Sequence, residues 1–292
     1  MKVRTTLFLS LLFSSALAQR PRFDQGAVGL ELALRRLPVT GSLLHITAHP
    51  DDEDNALLVM MRRGRGLRTG LLTLTRGDGG QNEIGPELFQ ALGIIRSEEL
   101  MSMHRYDDAR QFFTRAYEFG YSFSVEETLE RWGEEPILED MVRVIRSFRP
   151  QVILSLPRGG EGGGQHHQAS ALLAEKAFHA AADPARFPHQ LQEGLRPWKA
   201  AKLYERFRWQ SGRPDTSAER PPQVVEVSTG AYDSILGRTF AQLGTESRSM
   251  HKCQGMAQLL AAPGQRSSLW NPVAFHEIEM KEGEADLFEG ID

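Results

Sequence analysis

The sequence predicts an α/β fold: a doubly wound, mostly parallel sheet with helices on both faces, in a single domain. Three observations predict it. Short β-like runs alternate with stretches of helical spacing along most of the chain. One run, residues 151–156 (QVILSL), is continuously apolar, as a strand covered on both faces must be. The glycine-rich polar clusters follow the strand-like runs directly, at the sheet edge where such folds keep their reactive groups. A chain of 292 residues suits one large domain.

Residues 1–18 come first and stand apart. Lys2 and Arg4 precede an uncharged, mostly apolar stretch that ends in Ala16-Leu17-Ala18. That is the pattern of a cleaved signal peptide; the alternative is an uncleaved membrane anchor, for which the stretch is short. It leads us to expect an exported protein, periplasmic or extracellular, with no stable membrane insertion after cleavage. Residues 19–280 are then expected to form the folded domain.

Within it, residues 43–48 (LLHITA) read as a strand ending at His49-Pro50-Asp51-Asp52. Leu57, Leu58 and Met61 lie at helical spacing over residues 53–63, and Gly64 and Gly66 stop that helix. Residues 70–75 (GLLTLT) read as a second strand that runs into Arg76-Gly77-Asp78-Gly79-Gly80, a turn-forming cluster. Residues 87–104 look helical, with Leu88, Leu92, Ile95 and Met103 inward. So do residues 137–148, with Ile137, Met141, Val142 and Ile145 inward and Pro150 as the stop. The QVILSL strand follows, then a loop with five glycines over residues 157–165, then helical spacing over 167–182. Residues 223–228 are expected to be a strand, 232–243 and 250–260 helices, and 276–280 a last strand. Residues 210–222, rich in Ser, Arg and Pro, read as a surface excursion. The acidic tail at 281–292 is expected to be loosely held. Residues 285–292 carry no cap or stop signal, which fits a chain that continues in a longer form.

Composition narrows the function classes. Hydrophobic residues at 40% and charged residues at 25% exclude wholesale disorder. A net charge of −4 gives no global basic footprint for nucleic acid. The one cysteine, Cys253, excludes an intrachain disulfide and a cysteine-based zinc cluster, so a metal site must use His and carboxylates. Oligomeric state is not set by the sequence.

Three motifs fall at the expected sheet edge. In Ala48-His49-Pro50-Asp51-Asp52-Glu53, His49 and Asp52 are spaced to face one cleft, where an imidazole and a carboxylate can share a divalent cation. Asp51 is then a proton acceptor beside it. The competing reading is a helix N-terminus whose acidic residues complement the dipole. In Gly162-Gly163-Gly164-Gln165-His166-His167, one histidine suits a ligand, and His167 is the choice; an exposed loop pair is the alternative. No Gly-Lys-Ser/Thr follows the glycines, so a phosphate cradle is rejected. Arg76, Asp78 and Asn82, after the second strand, are polar groups expected to border the cleft. Trp132, Trp198, Trp209 and Trp270 offer sugar-stacking faces, and none is singled out.

Together these strings resemble the PIG-L/LmbE zinc-dependent N-deacetylases. The resemblance runs from about residue 40 to about residue 260. Arg96 and Glu99, in Gly93–Leu100, resemble the family's Arg-containing helix. His251, in Met250-His-Lys-Cys-Gln254, resembles its late His-x-Ser-Gln segment, with Cys253 at the Ser position. The resemblance implies a Rossmann-like sheet and one Zn2+ per chain, held by His49, Asp52 and His167. It implies water activated by the metal, with Asp51 as general base, and removal of an N-acetyl group from an N-acetylglucosamine-containing glycan or glycoconjugate. Arg76, Asp78, Asn82 and Arg96 are the implied substrate contacts. One departure stands out. The family commonly has His-x-x-His at the second motif, and its first His falls on Gly164 here, its usual Asp on His166. The proton donor is then His166, His251 or Asp51 itself. Two other functions remain: a zinc hydrolase of a non-sugar acyl amide, and a metal-binding, catalytically weak glycan-binding module.

Overall fold

A computed structural model of the chain describes residues 23–160, 164–207, 223–256 and 267–291. The leader at 1–18, the 210–222 excursion and Trp209 lie outside the described residues. Helix α1 (Gly26–Arg36) precedes strand β1 (Ser42–Thr47). Then come α2 (Asn55–Val59), which runs on as a π-helical turn (Met60–Gly64), and β2 (Arg68–Thr73). After them lie α3 (Gln90–Asp107), β3 (Arg110–Phe113), α4 (Val125–Trp132), α5 (Glu134–Phe148) and β4 (Val152–Ser155). The chain continues with α6 (His166–Ala182), α7 (Pro188–Gln192), β5 (Lys202–Arg206) and β6 (Val225–Ser228). A two-stranded hairpin, β7 (Tyr232–Asp233) and β8 (Arg238–Thr239), leads into α8 (Phe240–Arg248), and β9 (Ser267–Phe275) closes the sheet.

Seven strands form one sheet in the order β3-β2-β1-β4-β5-β9-β6. The first five pair in parallel, and β9 runs antiparallel between β5 and β6. From β1 the order runs one way to β2 and β3, and the other way to β4 and β5. The carboxyl ends of β1 and β4 therefore flank the topological switch point, where such sheets open a crevice.

Alternation along the strands builds two cores. Leu44, Ile46 and Ile153 face one side, with Met141, Ile145, Ala174 and Phe178 of α5 and α6. Leu43, Val152 and Leu154 face the other, with Leu57, Leu58 and Met61 of the second helical segment. Neighbouring residues of a strand point to opposite faces, so continuously apolar strands need helices on both sides. No helix among the described residues is long and apolar enough to cross a membrane.

Several local expectations are corrected. Residues 232–243 are not one helix. Asp233 Oδ1 accepts from the amides of Ile235 and Leu236, and Gly237 turns at φ +69°, making a hairpin. The helix starts only at Phe240, behind a capping box in which Thr239 and Gln242 bond each other's backbone amides. The last strand is Ser267–Phe275 rather than 276–280. The described part of 250–260 is a single 3-10 turn, Lys252–Gln254. Leu88 is exposed rather than inward. Nor is the acidic tail loosely held over 281–291. Leu287 is fully buried in the second core, and the buried Glu284 Oε2 accepts from Lys202 Nζ and Tyr204 OH, each at 2.8 Å.

Candidate active site

The loop after β1 carries the site. Asp52 folds back so that Oδ2 accepts from the His49 amide at 2.7 Å. That turn leaves Asp51 at φ +106°, a conformation that an L side chain holds only under outside constraint. Three groups supply the constraint. Arg96 Nη2 donates to the Pro50 carbonyl at 2.5 Å and to Asp51 Oδ1 at 3.2 Å. Arg248 Nη1 donates to the Asp51 carbonyl at 2.8 Å. Glu53 Oε2 accepts from the Asp51 amide at 3.0 Å. Glu53 is itself held by the fully buried His251, Nε2 to Oε1 at 2.7 Å. Burial pushes the Glu53 carboxyl up, but the charge and hydrogen bond of His251 outweigh it and leave it at about 2. The Asp51 carboxyl is pushed up to about 6, by burial first and then by the neighbouring Asp52 charge.

Helix α6 brings its first two residues against opposite sides of the His49 ring. His167 Nε2 lies 3.1 Å from His49 Nδ1 and 3.2 Å from Asp52 Oδ1, and His49 Nδ1 lies 3.4 Å from Asp52 Oδ2. Ligand atoms about 2.0–2.2 Å from a tetrahedral centre stand about 3.3–3.6 Å apart. Two imidazole nitrogens and a carboxylate at these separations fit one divalent cation and leave an open position. Burial works against the Asp52 charge, but His167 and His49 hold its carboxyl well below the usual range.

On the other side of the ring, His49 Nε2 faces His166 Nδ1 at 3.1 Å and Glu118 Oε1 at 4.0 Å. These three residues form a second convergent donor group. The His166 ring stacks on Trp132 at 5.1 Å and meets Phe119 edge-on at 4.5 Å. Burial, then His49 and His167, push it down to about 3, so it is neutral across the ordinary pH range. Glu118 also lies 3.6 Å from Arg96 Nη1.

A cavity of about 420 Å³ gathers His49, Asp51, Asp52, Arg96, His166 and His167, with Glu118, Tyr121 and Gln254 on its walls. His251 does not reach it and stands behind Glu53. The expected substrate contacts Arg76, Asp78 and Asn82 also lie outside it. Arg76 stacks on Phe113 at 3.9 Å and donates to Ser97 Oγ. Asp78 Oδ1 accepts from the Glu118 amide, and Asn82 braces its own loop through the Ile84 and Gly85 amides. The reason is Arg96. Its buried guanidinium lies so close under the turn after β2 that a Cβ on Gly77 would sit 2.3 Å from Nη1, and one on Gly80 2.5 Å away. Only bare backbone fits there, so the turn presents glycines inward and its charged side chains outward.

Glu118 and Tyr121 escaped the sequence reading. Both follow β3, a four-residue strand bearing Arg110 and Gln111, whose signal is weak; recognising that strand would have placed them at the sheet edge. The described tryptophans do not line the cavity. Trp132 backs His166, Trp198 Nε1 donates to the Pro150 carbonyl, and Trp270 lies buried beside His45. Glu99 Oε1 accepts from the Cys253 amide at 2.8 Å and ties the His251 segment to α3.

Residues 44–178 match the family model described as PIG-L, GlcNAc-PI de-N-acetylase. A 1D-myo-inositol 2-acetamido-2-deoxy-alpha-D-glucopyranoside deacetylase from Streptomyces avermitilis is 30% identical, over 85% of this chain and 97% of that one. Its namesake from Streptomyces scabiei is 29% identical, over 85% and 89%. Among solved structures, the N,N'-diacetylchitobiose deacetylase from Pyrococcus horikoshii superposes with a TM-score of 0.51 at 14% identity, covering 87% of this chain and 92% of that one. The 4-carboxy-2-hydroxymuconate hydratase GalB from Pseudomonas putida KT2440 does so with 0.54 at 14%, covering 82% and 99%. At such identities these two bear on the fold alone.

Proposed function

This chain belongs to the PIG-L family and is a metal-dependent N-deacetylase, and from that premise we propose its site, its metal and its substrate. The metal is zinc, held by His49, Asp52 and His167. The substrate is an N-acetylglucosamine-containing glycan or glycoconjugate, and the products are acetate and the free amino sugar. The observation that carries this reading is the convergence of two imidazole nitrogens and the Asp52 carboxylate, with nearest-atom separations of 3.1–3.4 Å, beside the Asp51 carboxylate, in one cavity. The acetamido-glucopyranoside in the relatives' names supports the substrate class.

Zinc bound there supplies Lewis acidity and a water of lowered pKa. Asp51 faces the same cavity, held by Arg96 and Arg248, and takes the proton of the attacking water. With Gly164 at the position of the family's usual first His, and His251 shut away behind Glu53, Asp51 also returns that proton to the leaving amine. His166 is not the donor, because its neutral ring is committed to His49.

Export follows from the residue 1–18 pattern and belongs to the same proposal. Deleting residues 2–18 is expected to abolish it; cytoplasmic retention of the full chain would overturn it.

The deciding experiment is metal content of the purified protein and its His167→Ala variant, followed by acetate release. About one zinc per chain, lost in the variant, with acetate freed from N-acetylated sugars, is the expected result. Release only from non-sugar acyl amides would move the substrate class. No metal after zinc is supplied would leave a glycan-binding module.

A further inference from the structure

The ring of His49 has two nitrogens, and the proposed site uses one of them. Nδ1 faces His167 and Asp52. For Nδ1 to offer its lone pair to a cation, the ring's proton must sit on Nε2. A ligating histidine ordinarily donates that proton to a carboxylate, a backbone carbonyl or water, which fixes ring and tautomer together. Here the Nε2 neighbours are His166 Nδ1 at 3.1 Å and Glu118 Oε1 at 4.0 Å. Only the first is at hydrogen-bond distance.

We propose that His166 is a positioning residue: its Nδ1 accepts the Nε2 proton of His49 and so holds His49 in the tautomer and orientation that bind the metal. This inference rests on the assignment of His49, Asp52 and His167 as ligands, and goes beyond it.

Burial and aromatic walls suit His166 to this role. The ring is 2% exposed, stacked on Trp132 at an interplanar angle of 24° and edge-on to Phe119 at 85°. Those contacts fix the plane in which Nδ1 must lie. When Nδ1 accepts, the His166 proton sits on Nε2, a buried atom with no partner among the described residues. An unpaired buried donor is unfavourable, and it is tolerated here because the other nitrogen is committed to His49. The residue matters to chemistry only through His49.

The test compares His166→Phe and His166→Asn in the full chain, by chelator competition for zinc and by unfolding. Phenylalanine keeps the packing on Trp132 and Phe119 but has no acceptor. Asparagine places Oδ1 near the position of Nδ1 and gives up part of the packing. H166F is expected to bind zinc about 10–100-fold more weakly, and H166N to recover most of that loss although it is the less stable fold. In the zinc-loaded wild type, nitrogen NMR should find the His49 proton on Nε2. Wild-type affinity in H166F, or a proton on His49 Nδ1 in the loaded protein, would overturn the inference while leaving the ligand assignment intact. A wild type that binds no zinc would overturn that assignment and this inference with it.

Discussion

Arg96 Nη2 stands 3.2 Å from Asp51 Oδ1 while the same atom donates to the Pro50 carbonyl, so one guanidinium holds both the side chain and the backbone entry of a left-handed aspartate. Lysine is a point charge and cannot span these acceptors in fixed geometry. Arg96→Lys is therefore expected to lower the rate of acetate release by at least about tenfold, equivalent to about 1.4 kcal/mol of barrier, with zinc retained. Arg96→Ala removes the charge facing Asp51 and Glu118 as well and is expected to destabilise the fold by about 3–5 kcal/mol. Urea unfolding and acetate release of both variants check this. An R96K enzyme as fast as wild type would show that the clamp is not needed.

Asp51 touches the cavity but is not one of the three convergent donors. Asp51→Asn is then expected to keep zinc at about one per chain and to lose about 10²–10⁴-fold in kcat, the usual range for a missing general base. Metal analysis beside single-turnover acetate release separates the two effects. Loss of zinc in D51N would make Asp51 a ligand instead.

The pH dependence of stability has one source outside the residues that line the cavity. His104 is buried, with Nδ1 2.8 Å from Asp107 Oδ1 and Nε2 2.7 Å from Gln111 Oε1. Both nitrogens face acceptors, so the doubly protonated ring satisfies both. Burial lowers its pKa, but the charge and hydrogen bond of Asp107, with Gln111, outweigh that and raise it above the ordinary 6.5. A histidine that holds its proton more tightly in the folded chain adds stability that is complete below the unfolded value and is lost as pH rises through the folded one. The urea midpoint is therefore expected to fall as pH rises from the ordinary 6.5 through the higher value of the folded chain, and His104→Asn to flatten that fall. An unchanged slope in H104N would assign the effect elsewhere.

How much of this was legible in the sequence follows from where each residue gets its constraint. His49, Asp52 and His167 could be placed together because each sits at the end of a strand or the start of a helix, and the sheet topology does the rest. Arg96 was found on its helix, but its consequence was not: a guanidinium under Gly77 and Gly80 turns Arg76 and Asp78 outward, and no local pattern carries that information. Glu118 has no such signal, because the β3 before it is only four residues long and half polar. The Tyr232–Thr239 hairpin reads as helix because its periodicity is helical, while the side chain of Asp233 closes the turn. The tail misled most, since acidic composition describes its surface and says nothing of Glu284 and Leu287.

That tail makes the last prediction. Lys202 Nζ is fully buried in β5, and Glu284, about eighty residues later, is its anionic partner at 2.8 Å. The same carboxylate accepts from Tyr204 OH, whose pKa burial and Glu284 both raise. Removing one member of a buried pair leaves an uncompensated charge and typically costs about 3–5 kcal/mol. Glu284→Ala is expected to destabilise by that amount. The double variant Lys202→Met with Glu284→Leu is expected to regain most of it, because apolar replacement of a whole buried pair is often neutral or stabilising. Truncation after residue 280 strands Lys202 and also removes the fully buried Leu287, so it should be more damaging than E284A alone. Urea unfolding of the three proteins orders them. A truncated chain as stable as wild type would mean that residues 281–291 are dispensable to the core they touch.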